Sequence, residues 1–160
     1  MSADLSRNEQ FTDLDALLNA GMEDLDDLPP MGVPPSGHYN LELTIARDTV
    51  GDQNTEVLKA TFTVEEVNEL KNPDEAGEVA KGQVFKEFFF PVKKNGDANP
   101  YGIAALKERL KPFVGPAGTG NISALVAFCD HVHIAATVRR TVNKKNEDQW
   151  NMRLSDVVLL

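Results

Sequence analysis

The sequence predicts a mainly β domain of five strands in the order β-β-β-α-β-β, preceded by an acidic N-terminal helical segment. Three observations carry that reading. Apolar and polar residues alternate in several separate stretches, the pattern of strands with one buried face. A single stretch between the third and fourth of these repeats its apolar residues at helical spacing instead. The first thirty residues hold eight acids and one base, Arg7, whereas the remainder holds seventeen acids and fifteen bases, so the acidity belongs to the N-terminus rather than to the β body.

Taken in order, "FTDLDALLNAG" predicts a short helix capped by Thr12, with Asp13 and Asp15 at the positive end of its dipole and Gly21 at its close. Phe11, Leu14, Leu17 and Leu18 form its apolar stripe. The run "PPMGVPPSG" concentrates proline and glycine, a composition that extends a chain, so residues 1–30 read as an appendage, 31–37 as a linker and 38–160 as the domain. "HYNLELTIAR" alternates through Tyr39, Leu41, Leu43 and Ile45, and "EVLKATFTVEEV" through Leu58, Ala60, Phe62 and Val64; a polar turn between them predicts an antiparallel pair. In "GQVFKEFFFPVKKNG" Val84, Lys86, Phe88, Phe90 and Val92 share one side of a third strand, and Gln83, Phe85, Glu87 and Phe89 the other. Continuing the inward pattern through Phe88 and Phe90 sends Phe85 and Phe89 outward. "NPYGIAALKERLKPF" has Asn99 as cap, Pro100 at the first helical position and Ile103, Leu106, Leu110 and Phe113 on one stripe. "NISALVAFCD" reads as a further short helix, with a strand as the alternative. "HVHIAATVRRTV" and "QWNMRLSDVVLL" close the series as two strands around the hinge "NKKNED".

Several function classes find no support in these residues. No apolar run is long enough to cross a bilayer, and "MSADLSRNEQ" lacks the basic and apolar regions of a secretory signal, so a cytoplasmic protein is expected. The single Cys129 has no intrachain disulfide partner and reads as a small core residue. Cys129, His131 and His133 lie close in "CDHVH", but counting cysteines and histidines leaves only His38 to complete a zinc set, so no metal is expected. "GPAGTGN" lacks the Lys-Ser/Thr of a phosphate loop. No nucleophile–base spacing points to catalysis, and neither an enzyme nor a cofactor is expected.

Three strands, a helix and two strands is the order of a five-stranded OB-like barrel, although an α+β sandwich can share it. The chain also resembles phage-encoded single-stranded DNA-binding proteins of the OB type, on the acidic leucine-bearing "DLDALL" and "DLDDLPP" and on the first-strand motif "PSGHYNLEL". That resemblance covers most of the chain and implies sequence-tolerant binding of single-stranded DNA in phage replication or recombination. It also implies a role for the N-terminal segment with replication or recombination proteins. The sequence departs from many such proteins by ending in "SDVVLL" rather than an acidic tail.

OB domains hold single strands on the outer face of the second and third strands and on the loops joining strands one to two and four to five, combining aromatic stacking with bases. The candidate DNA contacts are therefore Arg47, Lys59, Phe85, Lys86, Phe89, Lys93, Lys94, Arg139, Lys144, Lys145 and Trp150. Burial of Phe85 and Phe89 under a helix competes with stacking, and the alternation of Trp150 with Met152 and Leu154 favours filling the barrel. A rival reading makes the β body a scaffold and the N-terminal Leu/Asp segment the working part of a protein-interaction or virion module.

Overall fold

The computed structural model describes residues 6–25, 32–93, 95–142 and 150–160. Five strands, β1 (Gly37–Val50), β2 (Thr55–Leu70), β3 (Val84–Phe89), β4 (Val132–Val142) and β5 (Trp150–Leu159), form one antiparallel sheet in the order β3-β2-β1-β4-β5. Between β3 and β4 the chain makes α2 (Pro100–Leu110), α3 (Val114–Ala117) and α4 (Ile122–Phe128); α1 (Leu14–Leu18) lies in the N-terminal segment. The succession along the chain, three strands, helical structure and two strands, matches the expectation. Closure does not: among the described residues no pairing joins β3 to β5, so the sheet is open where a barrel was expected.

The β1–β2 hairpin is longer than its alternating core suggests. Thr49, Val50 and Thr55 are β-branched and continue the ladder to the turn, where Gly51 and Asn54 take the left-handed conformation. Towards the other end of the hairpin the register shifts twice, and between the pairs Leu41–Val64 and Asn40–Glu66 the extra residue on β2 is Glu65. Such a bulge re-aims the residue that it inserts.

The core lies between one face of the sheet and the helices. Tyr39, Leu41, Leu43 and Ile45 of β1, Ala60, Phe62 and Val64 of β2, and Ile134, Ala136 and Val138 of β4 meet Leu106 and Leu110 of α2, Phe113, Leu125 and Cys129. Asn99 and Asn121 are the N-caps of α2 and α4 as the sequence indicates; the Asn121 side chain accepts from the Ala124 amide, whereas Asn99 makes no side-chain cap bond. The cap of α1 is Asp13, one residue after the expected Thr12, and its carboxylate accepts from the Ala16 amide.

In β3 the two faces are the reverse of the expected ones. Phe85 and Phe89 are 3% and 2% exposed, and Gln83 is buried beside them, while Phe88 and Phe90 are 41% and 40% exposed. Phe85 stacks on Phe62 with ring centroids 5.0 Å apart. Either phase buries two phenylalanines and one charged residue, so the decision falls to that charge. Glu87 can face inward because Arg109 of α2 donates to it through Nε (2.6 Å) and Nη2 (3.0 Å), a bidentate pair that satisfies the carboxylate. Lys86 has no such partner in the core and stays outside.

The Pro/Gly stretch before β1 docks on the body rather than extending from it. Pro34 and Pro35 are fully buried, the Tyr39 hydroxyl donates to the Pro35 carbonyl, and the Gln83 amide donates to the Gly32 carbonyl. Arg140 completes the clasp: its guanidinium donates to the Val33 carbonyl and pairs with Glu75 (2.7 Å) and Glu78 (3.2 Å). In α1, by contrast, no residue is buried, and Leu14 and Leu18 are mostly exposed.

Candidate nucleic-acid interface

The alternation that buries Phe85 and Phe89 sets Val84, Lys86 and Phe88 outward on β3. Opposite them on β2 stand Thr63, Thr61 and Lys59, with Lys59 paired to Phe88 and Thr61 to Lys86. The result is a strip of two neighbouring strands with an exposed ring, two ammonium groups and two hydroxyls on one face. Phe90 extends it past the end of β3, where the chain turns into the Val92–Ala98 bridge.

Phe90 is held in place by the start of α2. The Asn99 amide donates to the Pro91 carbonyl (2.9 Å), and a Cβ at Gly102 would overlap the carbonyl oxygen of Phe90. Glycine is what allows this approach of helix to strand end. Between Phe90, Val92 and Lys93 on one side and Val50, Gln53 and Thr55 of the β1–β2 turn on the other lies a groove of about 440 Å³. That volume falls within the range of small-molecule clefts, and its walls are largely apolar with a few polar groups at the rim.

The charges on the strip are partly compensated. Lys59 pairs with Asp48 at 2.9 Å, and the hydrogen bond from Lys59 holds the Asp48 carboxyl below its ordinary pKa. Arg47 pairs with Glu56 at 2.8 Å with both side chains mostly exposed, a weak pair that stands on the other face of the hairpin. Lys86 and Lys93 make no ion pair among the described residues. Of the expected contacts, then, Lys59, Lys86 and Lys93 cluster at this end of the sheet, whereas Arg47, opposite Leu58 and in line with buried Phe89, belongs by register to the other face. Phe85 and Phe89 are withdrawn from any ligand by burial. The rings that take their place, Phe88 and Phe90, were assigned to the core by sequence phase alone.

Arg139 and Trp150 belong to a different region. By register Val138 lies beside Gly37, at the opposite end of β1 from the β1–β2 turn, and Trp150 pairs with Val142 beyond it. Trp150 does not fill the core: it is 44% exposed, with the Arg140 guanidinium 4.1 Å from its ring centroid. That cation–π contact uses the ring face turned toward Arg140. Lys94, Lys144 and Lys145 lie outside the described residues.

The other half of the outer face is occupied by carboxylates and imidazoles. His131 Nδ1 lies 2.8 Å from Glu42 Oε1, and His133 Nδ1 lies 2.7 Å from Glu65 Oε1. These hydrogen bonds to carboxylates raise both histidine pKa values above the ordinary one. Cys129 takes no part, because it sits in the core where burial pushes its thiol up to about 11. The sequence count of zinc ligands considered cysteine and histidine alone and so passed over the two glutamates. No protein-family profile, curated protein or solved structure matches this chain.

Proposed function

We propose that the protein binds single-stranded nucleic acid, DNA in the first instance, across the outer face of β2 and β3. In this reading the sheet is an OB-type sheet left open between β3 and β5, and the protein serves phage replication or recombination as its sequence resemblance implies. The observation that carries the proposal is the pairing of exposed rings with ammonium groups along the β2–β3 edge: Phe88 beside Lys86 and the Asp48-paired Lys59, followed past the end of β3 by Phe90 beside Lys93. Rings of this kind stack on any base, and the lysines reach the phosphates between them, which gives affinity without sequence preference. The groove under the β1–β2 turn has room for a base splayed from the strand. A titration of labelled oligo-dT and of a duplex of the same length, followed by anisotropy, tests it. Saturable binding to oligo-dT that exceeds binding to the duplex is expected; equal binding or none refutes the proposal.

A second reading has its own observation. Leu14, Leu17, Leu18 and Met22 are all exposed in a segment rich in acids, as a docking peptide for an apolar, basic-rimmed groove would be. In that case the segment recruits a replication or recombination protein, and its removal abolishes that association without loss of oligo-dT binding.

A further inference from the structure

We propose that Glu42, Glu65 and His133 form a zinc site on the outer face of the sheet, with solvent completing the coordination and His131 orienting the Glu42 carboxylate. The three side chains come from β1, β2 and β4, and their ligand atoms all lie within 4.8 Å of one another. The order β2-β1-β4 makes this convergence possible, since Glu42 on the middle strand stands opposite His133 in the register. Glu65 reaches the group from the far strand because it is the inserted residue of the β2 bulge, not part of a regular ladder pair with β1.

The donor set selects the metal. One imidazole nitrogen and two carboxylates suit zinc, whereas calcium and magnesium favour shells made of oxygen alone. The two carboxylates also balance the charge of a divalent ion. Tetrahedral zinc with ligands at about 2.0–2.1 Å sets neighbouring donor atoms about 3.3 Å apart. His133 Nδ1 and Glu65 Oε1 would open to that spacing from 2.7 Å, and the remaining donors would close on it from at most 4.8 Å. Side-chain rotation on half-exposed residues suffices, and the strands need not move. His131 remains 2.8 Å from Glu42 Oε1, the place of the outer hydrogen-bond partner that fixes a ligating carboxylate. The backbone supports the same contact, because His131 adopts a left-handed conformation while its amide donates to the Thr44 hydroxyl.

Calorimetric titration of the full chain with Zn²⁺ alone, beside Ca²⁺ and Mg²⁺, tests the site. The expected result is one zinc per chain with a dissociation constant on the order of micromolar, a rise in Tm on adding zinc, and no comparable binding of the other two ions. His133→Gln and Glu65→Gln should each abolish saturable binding, and His131→Gln should weaken it by about 10–100-fold. His38→Gln is the control: that ring bonds Thr137, outside the cluster, and the variant should bind zinc as the parent does. Thermal melts without zinc establish that each variant is folded, so lost binding reports a lost ligand. Zinc binding that survives His133→Gln, that is lost in His38→Gln, or that Ca²⁺ or Mg²⁺ matches would overturn the proposal, as would no saturable binding at all.

Discussion

Replacing the two outward phenylalanines of the β3 region and, in a separate protein, the two inward ones should dissociate binding from stability. Phe88 and Phe90 each leave about 40% of their surface in solvent. For an aromatic side chain that presents about 200 Å², this is about 80 Å² available to a base, or about 2 kcal/mol per ring at 25 cal/mol per Å². Phe88→Ala or Phe90→Ala should therefore weaken oligo-dT binding by roughly 30-fold each. The buried remainder of each ring, about 120 Å² by the same count, limits the stability cost to at most about 3 kcal/mol. Phe85→Ala removes a buried ring stacked on Phe62 and should cost about 3–5 kcal/mol, a large share of the 5–15 kcal/mol typical of a domain. Urea melts and anisotropy titrations on the same samples read both quantities. If Phe88→Ala binds as the parent does, the rings are not a stacking platform. If Phe85→Ala melts as the parent does, the assignment of the inner face is wrong.

Other outcomes follow from the same geometry. With Lys86 and Lys93 as phosphate contacts, the log–log dependence of affinity on salt should have a slope of about −1.4, and Asp48→Asn, which frees Lys59, should tighten binding and steepen the slope toward about −2.1. A steeper parental slope that relaxes on charge reversal of Lys144 and Lys145 would place those residues on the strand as well. Cys129 should react with an alkylating reagent far more slowly in the native than in the urea-unfolded protein: burial and a pKa near 11 cut its thiolate about a hundredfold against the ordinary value of 9.0. Labelling at equal rates would remove that thiol from the core. A chain starting at Met31 should melt as the full chain does, since α1 buries nothing, and should bind oligo-dT more tightly at low salt because the competing N-terminal carboxylates are gone. A chain starting at Gly37 should lose stability, because the Tyr39 hydroxyl loses its acceptor and the buried prolines are removed.

The succession of strands was legible because each strand carries its own alternation and each connection its own glycine, proline or run of polar residues, all local signals. What stayed hidden depends on residues far apart in the chain. The phase of β3 rests on Arg109, twenty-two residues after Glu87, and nothing within "VFKEFFF" reveals that partner. The docking of Pro34 and Pro35 rests on Tyr39, Gln83 and Arg140, so a stretch with the composition of a linker becomes part of the body. Thr12 and Asp13 are both good caps, and the choice between them turns on which carbonyls the next turn engages. The convergence of Glu42, Glu65 and His133 needs both the strand order and a bulge, and neither is written in the spacing of the three residues.

A chain of net charge −9 can present a surface to a polyanion because its charges are sorted, not averaged. Arg109 is fixed to Glu87 and Arg140 to Glu75 and Glu78, so two of the strongest cations serve the core and the N-terminal clasp. Glu42 of β1 and Glu65 of β2 face outward toward β4, where their imidazole partners hold them. What is left at the β2–β3 edge is a short lysine-bearing strip with two rings. Few phosphates can be neutralised there, and that sets the balance of forces for any bound strand: stacking must supply more of the affinity than counterion release. Such a surface would hold a short run of bases with modest salt sensitivity. It would also meet the carboxylates of β1 and β2 at its inner margin, which confines the strand to the edge unless a cation occupies them.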